Sequence, residues 1–204
     1  ARLEVPQNLD GLLQPEIIYA EPSDGENSGM YWEHRDPAIS PDGHWIAFSK
    51  SRYAIDGIPE DDDYGQQSIW VMEMPGLGSQ SELVFQVTTE ASIIANPSWS
   101  PDGKYLSLTI YQDGNAEIYI LRLRDQTLTR MTNQFAIDTE SSWSPKGNKI
   151  LFTSGRSGSP QIYELDLRRL NSKAKRISFE GSYNAKASYL PNEEGIIFVH
   201  RSAD

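Results

Sequence analysis

Two short polar runs carry the chemistry this sequence has to offer. Glu33-His34-Arg35-Asp36 and Asp138-Thr139-Glu140 gather carboxylates, an imidazole, a guanidinium and a hydroxyl. Such groups could receive a partner's basic or hydrogen-bonding groups. They could equally cap strand ends and solvate a loop, because Asp and Thr bond their own backbone in turns. A third run, Asp56-Gly-Ile-Pro-Glu-Asp-Asp-Asp-Tyr64, holds five acids. Carboxylates are hard oxygen ligands for calcium, but the spacing lacks the alternating ligands and closing Glu of an EF-hand loop. A solvated acidic loop is the simpler account. No cofactor is therefore expected, with calcium as the alternative, there or among inward-facing acids of a central channel.

No catalytic constellation assembles. The chain has no cysteine, which excludes disulfides, Cys-ligated zinc, iron–sulfur clusters and thiol nucleophiles. It is compatible with an oxidising compartment. The three histidines are His34, His44 and His200, too few for much His-based metal or base chemistry. There is no Gly-x-Ser-x-Gly elbow. His44 directly follows a tight turn and His200 ends a strand, so neither reads as a base between a nucleophile and an acid. Glu193-Glu194 reads as a turn facing water. These counts favour a binding domain over an enzyme.

The bulk composition narrows the partners. The chain has 204 residues, 29 acids and 18 bases, hence a net charge of −11, which argues against a phosphate-backbone binder. Apolar runs fall short of the roughly 18 residues of a membrane helix. The first residues, ARLEVPQ, do not read as a signal peptide. With 38% hydrophobic residues, including 5 Trp and 10 Tyr, a core can form.

What positions the polar runs is a repeat. Asp36-Pro-Ala-Ile-Ser-Pro-Asp-Gly43 returns as Asn96-Pro-Ser-Trp-Ser-Pro-Asp-Gly103 and as Glu140-Ser-Ser-Trp-Ser-Pro-Lys-Gly147. A worn fourth copy runs from Ala185 through Leu190-Pro-Asn-Glu-Glu-Gly195 to Val199. The turn glycines are 60 and 44 residues apart, and the acidic stretch 51–67 accounts for the longer interval. Pro-Asp-Gly is a tight-turn sequence. It is followed by β-rich runs: Trp45-Ile-Ala-Phe48, Tyr105-Leu-Ser-Leu108 and Ile150-Leu-Phe152. A third strand and a closing fourth follow in each unit, with no sustained helical period.

Four strands per unit of about 44 residues predict an all-β β-propeller. A sandwich is the rival all-β reading, and the fixed repeat disfavours it. Three full blades and a partial fourth are visible, at about 36–89, 96–133, 140–178 and 185–204. Residues 1–35 form a separate segment whose Pro15–Ala20 run reads as a strand able to complete a blade. The alternative is that the chain is a piece of a larger propeller, whose open blade edges would draw copies into a homodimer. Trp99 and Trp143, at one repeat position, are expected to pack between blades. Trp32, with Tyr31 and Met30, reads equally as a contact patch or as core.

From Asn115 to Ala185 the chain resembles the TolB family, the periplasmic propellers of the Tol–Pal envelope system. The runs that carry this are Ala136-Ile-Asp-Thr-Glu-Ser-Ser-Trp-Ser-Pro145, Phe152-Thr-Ser-Gly-Arg-Ser-Gly-Ser-Pro-Gln-Ile-Tyr163 and Arg176-Ile-Ser-Phe-Glu-Gly-Ser-Tyr-Asn184. From about Asp36 to Asn96 the match is only at the generic repeat level. Residues 1–35 do not resemble the family's N-terminal α/β domain, and the family's chains are about twice as long, with six blades. In that family a lipoprotein, Pal, sits at one propeller mouth, held by the loops that enter the innermost strands. The resemblance places those loops at Trp32–Asp36, Ile94–Asn96, Asp138–Glu140 and Tyr183–Asn184. Thr139-Glu140 matches the family's rim Thr-Glu. The rim His has no match, since His34 lies one blade early. The resemblance implies a non-catalytic, extracytoplasmic protein-binding module recognising a protein or peptide, Pal-like in a true TolB. Thr139, Glu140, Asp138, Asn96, Asp36 and His34 would form its protein-binding residues, with no nucleic acid and no membrane insertion. Two alternatives stay open: the sensor domain of a membrane-anchored transcriptional regulator, and the non-catalytic propeller of a prolyl-oligopeptidase-type hydrolase.

Overall fold

The computed structural model describes residues 30–54, 67–74, 84–88, 93–112, 114–169 and 172–202. All regular structure among them is antiparallel β. Strands β1 (Met30–Ile39), β2 (Trp45–Ala54), β3 (Gln67–Glu73) and β4 (Val84–Gln86) form one four-stranded meander. β5 (Ile93–Trp99), β6 (Tyr105–Gln112), β7 (Asn115–Arg122) and β8 (Thr127–Arg130) form the second. β9 (Asp138–Trp143), β10 (Lys149–Ser154), β11 (Gln161–Asp166) and β12 (Lys175–Arg176) form the third. β13 (Tyr183–Tyr189) and β14 (Ile196–Arg201) pair as a two-stranded fourth. These are blades of a propeller.

Each Ser-Pro-Asp-Gly turn is tied the same way. The Ser100 hydroxyl donates to Asp102 Oδ1 at 2.7 Å, and the Tyr105 N–H donates back to Ser100 Oγ at 3.0 Å. Ser40 and Asp42 repeat this in blade 1. In blade 3 Lys146 replaces the Asp, and Ser144 bonds Asn148 instead. The glycines sit at φ 74, 68 and 69. In blade 4 Glu193 takes that left-handed position at φ 58, and its carboxylate reaches across to Lys146 at 2.6 Å. Both turn carboxylates, Asp42 and Asp102, are pulled below the usual range, chiefly by the serine hydroxyl.

The core lies in the seams between blades, because strands with sheet on both sides bury both faces. Along β6, Leu106, Leu108 and Ile110 face blade 1, where they meet Ala47, Ile69, Val71 and Val87. The intervening Ser107 and Thr109 face blade 3 and bond Ser141 and Thr139. Likewise Ile150 and Phe152 meet Ile118 in the second seam, and Leu151 and Ile162 meet Ala187 in the third. The two conserved-in-repeat tryptophans cross the seams. Trp99 Nε1 donates to Ala38 O at 2.9 Å and Trp143 Nε1 to Ser98 O at 3.0 Å. Tyr189 holds the same place in blade 4 and donates to Glu164 Oε2 at 2.6 Å. Ile39 holds it in blade 1 and is 61% exposed, with no described blade before it. Among the described residues, the first blade and the fourth do not touch.

The segments expected as loops at the blade entrances are strand. β1 begins at Met30, so residues 30–35 belong to the first blade's inner strand. The inner strands stay paired through a β-bulge in each blade. Its pivot is a non-glycine residue in the left-handed region: Asp36 (φ 53), Asn96 (φ 53), Glu140 (φ 55) and Lys186 (φ 54). The Pro15–Ala20 strand, the Trp32 side chain and the acidic run 56–64 lie outside the described residues.

Candidate functional site

The bulge fixes the site. A bulge adds one unpaired residue and turns its side chain away from the ladder. Here the freed N–H crosses the seam to the blade before. Asn96 N donates to Asp36 Oδ2 at 3.2 Å, Glu140 N to Thr109 Oγ1 at 3.3 Å and Lys186 N to Thr153 Oγ1 at 3.2 Å. These bonds offset a left-handed conformation that costs an L-residue about 1–2 kcal/mol.

The side chains of the pivots join into one polar row. Thr139 Oγ1 donates to Asn96 Oδ1 at 3.3 Å and lies 3.3 Å from Thr109 Oγ1. Thr153 Oγ1 donates to Glu140 Oε2 at 3.1 Å. Lys186 Nζ stands 4.0 Å from Glu140 Oε1, with the lysine side chain 68% exposed and the glutamate 19%. Read along the blades, the pivots present carboxylate, amide, carboxylate, ammonium. The row can accept donors from a partner at Asp36, Asn96 and Glu140, and offers one cation at Lys186.

Of the six residues singled out from the sequence, Asn96, Thr139 and Glu140 come together directly. Asp36 joins through the Asn96 N–H. His34 is exposed and stands edge-on to Phe48, with ring centroids 5.4 Å apart. Asp138 sits behind the rim rather than on it, with no exposed surface. His34, Ile94, Asp138 and Asn184 all lie two residues before a pivot. The last three are at most 2% exposed because a blade precedes them, and His34 has none described. Burial raises the Asp138 carboxyl above its ordinary range. The Ser154 hydroxyl, Arg156 and the Thr132 hydroxyl oppose that rise, and the negative charge of Glu117 adds to it.

Sequence reasoning missed Lys186, Thr109 and Thr153. Lys186 occupies the repeat position of Asp36, Asn96 and Glu140, so extending that column would have found it, whereas Thr109 and Thr153 share a position with Ser49, which nothing in the sequence marked as a site. It also missed an apolar border. Phe135 (85% exposed), Ile137 and Phe179 (71% exposed) stand in the segments leading into β9 and β13, and Tyr183 opens β13. Tyr111, at the tip of the β6–β7 hairpin, is at the same end. Among the described residues no three His, Asp or Glu side chains converge as metal ligands. At the opposite, turn end, a cleft of about 450 Å³ opens between blades 2 and 3 over Ile120, Met131 and Trp143.

Comparison with known proteins agrees with this architecture. The Tol-Pal system protein TolB of Syntrophus aciditrophicus is 40% identical over 48 residues, which is 22% of this chain and 11% of that protein. The crystal structure of TolB from Acinetobacter baumannii matches with a TM-score of 0.68 and 32% identity, over 84% of this chain and 38% of that one. The structure of a putative TolB from Agrobacterium tumefaciens matches with a TM-score of 0.62 and 20% identity, over 84% of this chain and 71% of that one. The chain thus spans under two-fifths of the length of the Acinetobacter protein. The family described as the TolB beta propeller domain matches residues 23–204, nearly all of the chain, which therefore belongs to that family.

Proposed function

We propose that this chain is a non-catalytic, extracytoplasmic module that binds a protein or peptide at the inner-strand end of its blades. The observation that supports this best is the apolar border beside the polar row. Phe135, Ile137, Phe179 and Tyr183 are large hydrophobics held in water at the same end as Thr139 and Glu140. Scattered exposed apolar residues need no explanation, whereas a group rimming polar acceptors is the pattern of an interaction surface. The partner's contact would combine apolar side chains with hydrogen-bond donors or a basic group aimed at Glu140, Thr139, Asn96 and Asp36, with His34 at the flank. Asp138 would support this contact from behind.

The Syntrophus relative is a Tol-Pal system protein, so a Pal-like lipoprotein of the same cell is the partner to try first. The soluble domain of that lipoprotein is expected to bind the full chain saturably. Glu140→Ala and Phe179→Ala should each weaken binding about tenfold or more, as central contacts do. Glu140→Ala should also leave stability within about 1 kcal/mol, since it removes one partly exposed hydrogen bond. Unchanged affinity in both variants would overturn the placement of the site. A second use of the blades, pairing between copies through the open flanks, is compatible with the first.

A further inference from the structure

The seam between blades 2 and 3 contains a buried polar oxygen with no hydrogen-bond partner, Asp138 Oδ1. Buried polar groups in folded proteins are almost always satisfied, so each exception asks for a physical account. The next seam supplies one. There Asn184 holds the place of Asp138, and Gln161 holds the place of Glu117 at the start of the third strand. Asn184 Oδ1 pairs with the His200 ring at 2.7 Å. Its amide nitrogen donates to Gln161 Oε1 at 2.8 Å and to Glu180 O at 2.7 Å. In the earlier seam Asp138 Oδ2 is taken by Arg156. With Oδ2 held by Arg156, Oδ1 is the oxygen left for the place that the Asn184 amide nitrogen fills in the next seam, which is the donor position.

A carboxylate cannot donate there, and a carboxylic acid can. Glu117 is already the acceptor of the two. Its carboxylate, 1% exposed, receives Gln134 N at 2.6 Å, Arg130 Nη2 at 3.1 Å, Asn115 Nδ2 at 3.4 Å and the Thr132 hydroxyl. We propose that Asp138 and Glu117 share one proton, carried on Asp138 Oδ1, and that this acid–carboxylate pair stitches blade 2 to blade 3. It is the ionisable counterpart of the neutral Asn184–Gln161 pair. Asn184 and Gln161 bond directly, so by the repeat the Asp138 and Glu117 carboxyls face one another, and two such buried carboxylates do not both ionise readily.

The surrounding charges fit one retained negative charge. Arg156 lies 4.8 Å from the Tyr163 ring centroid and 5.4 Å from that of Phe152, which fixes it beside Asp138. Arg130 approaches Glu117 from β8. Glu140, on the strand of Asp138 itself, and Lys186, from β13, turn to each other. Lys149 of β10 is spent on Glu164. β5 and β6 carry no carboxylate, imidazole or cation. Arg156, Thr132 and Gln134 line a cleft of about 410 Å³, which gives the seam a route to solvent. Burial, already noted, pushes the Asp138 proton in the same direction.

The test is a pH titration of side-chain carboxyl ¹³C shifts on the full chain, with Asp138 assigned through its own backbone. Asp138 is expected to titrate above the ordinary carboxylate range. An Asp138 signal that is ionised down to pH 4 would overturn the proposal. Glu117→Gln should then lower the Asp138 proton affinity about tenfold or more, because the facing charge is gone and the amide can donate. An unmoved midpoint in folded Glu117→Gln would show burial acting alone and would overturn the shared-proton pair. Should that variant fail to fold, Asp138→Asn decides: it supplies the amide donor that Asn184 supplies in the next seam and is expected to keep the unfolding midpoint of the wild type, whereas a large loss of stability would overturn the donor at Oδ1.

Discussion

Trp143 shows how much one side chain does in a seam. Its ring packs against the second-seam cluster, and its Nε1–H satisfies Ser98 O in the neighbouring blade. Trp143→Phe keeps most of the apolar area but strands that carbonyl, so a loss of about 1–3 kcal/mol in chemical unfolding is expected. Asp125 gives a pH signature at the same scale. Arg122, then Thr127, hold its carboxyl down to about 2. A lowered folded value means the stabilisation is complete above the unfolded value near 3.8 and is lost as pH falls toward 2. Asp125→Asn is expected to flatten that part of the acid limb in a pH series of unfolding midpoints. The residue scale was only half legible in the sequence. Thr139 and Glu140 stood out by resemblance, whereas Lys186 passed unnoticed because its repeat copy is worn.

The elements were legible where chemistry is local. Turn position follows from Pro-Asp-Gly, and strand identity follows from apolar residues alternating with serine and threonine. Gly103 tests the turn. A Cβ there meets nothing within 4 Å, and φ is +68, so any penalty is conformational. Gly103→Ala is expected to cost about 1–2 kcal/mol by thermal or chemical unfolding. The bulges were not legible. The resemblance placed Trp32–Asp36 and Ile94–Asn96 in loops entering the inner strands. The inner strands instead run through these points, because a bulge leaves one residue outside the ladder and the pivot N–H finds its acceptor in another blade. An acceptor 31 to 60 residues away leaves no local mark.

Across the whole molecule, both flanks of the blade row present apolar side chains at positions that other blades bury. Ile197 (64% exposed) and Val199 (52% exposed) lie on the face of β14 opposite Ile196 and Phe198, which pack toward blade 3. Ile39 faces outward at the other flank. Exposed sheet faces and edges invite pairing. Light scattering over a concentration series is expected to show a mass rising from 23.0 kDa toward twice that value. The pair Ile197→Lys and Val199→Lys should suppress the rise. A constant monomer mass in the wild type would count against pairing through these flanks.

The sequence by itself determined the class of fold, the period of the blades, the tight turns and the seam role of Trp99 and Trp143. Each of these depends on residues close in the chain or on a pattern repeated along it. Only the tertiary structure decided which polar residues lie on the rim and which are buried behind it. Asp138 and Glu140 are two residues apart on one strand and look alike in sequence. One is buried beside Arg156, and the other lies on the rim beside Lys186. Burial depends on the blade packed against a strand, and that blade is distant in the chain, so no local pattern could tell the two carboxylates apart.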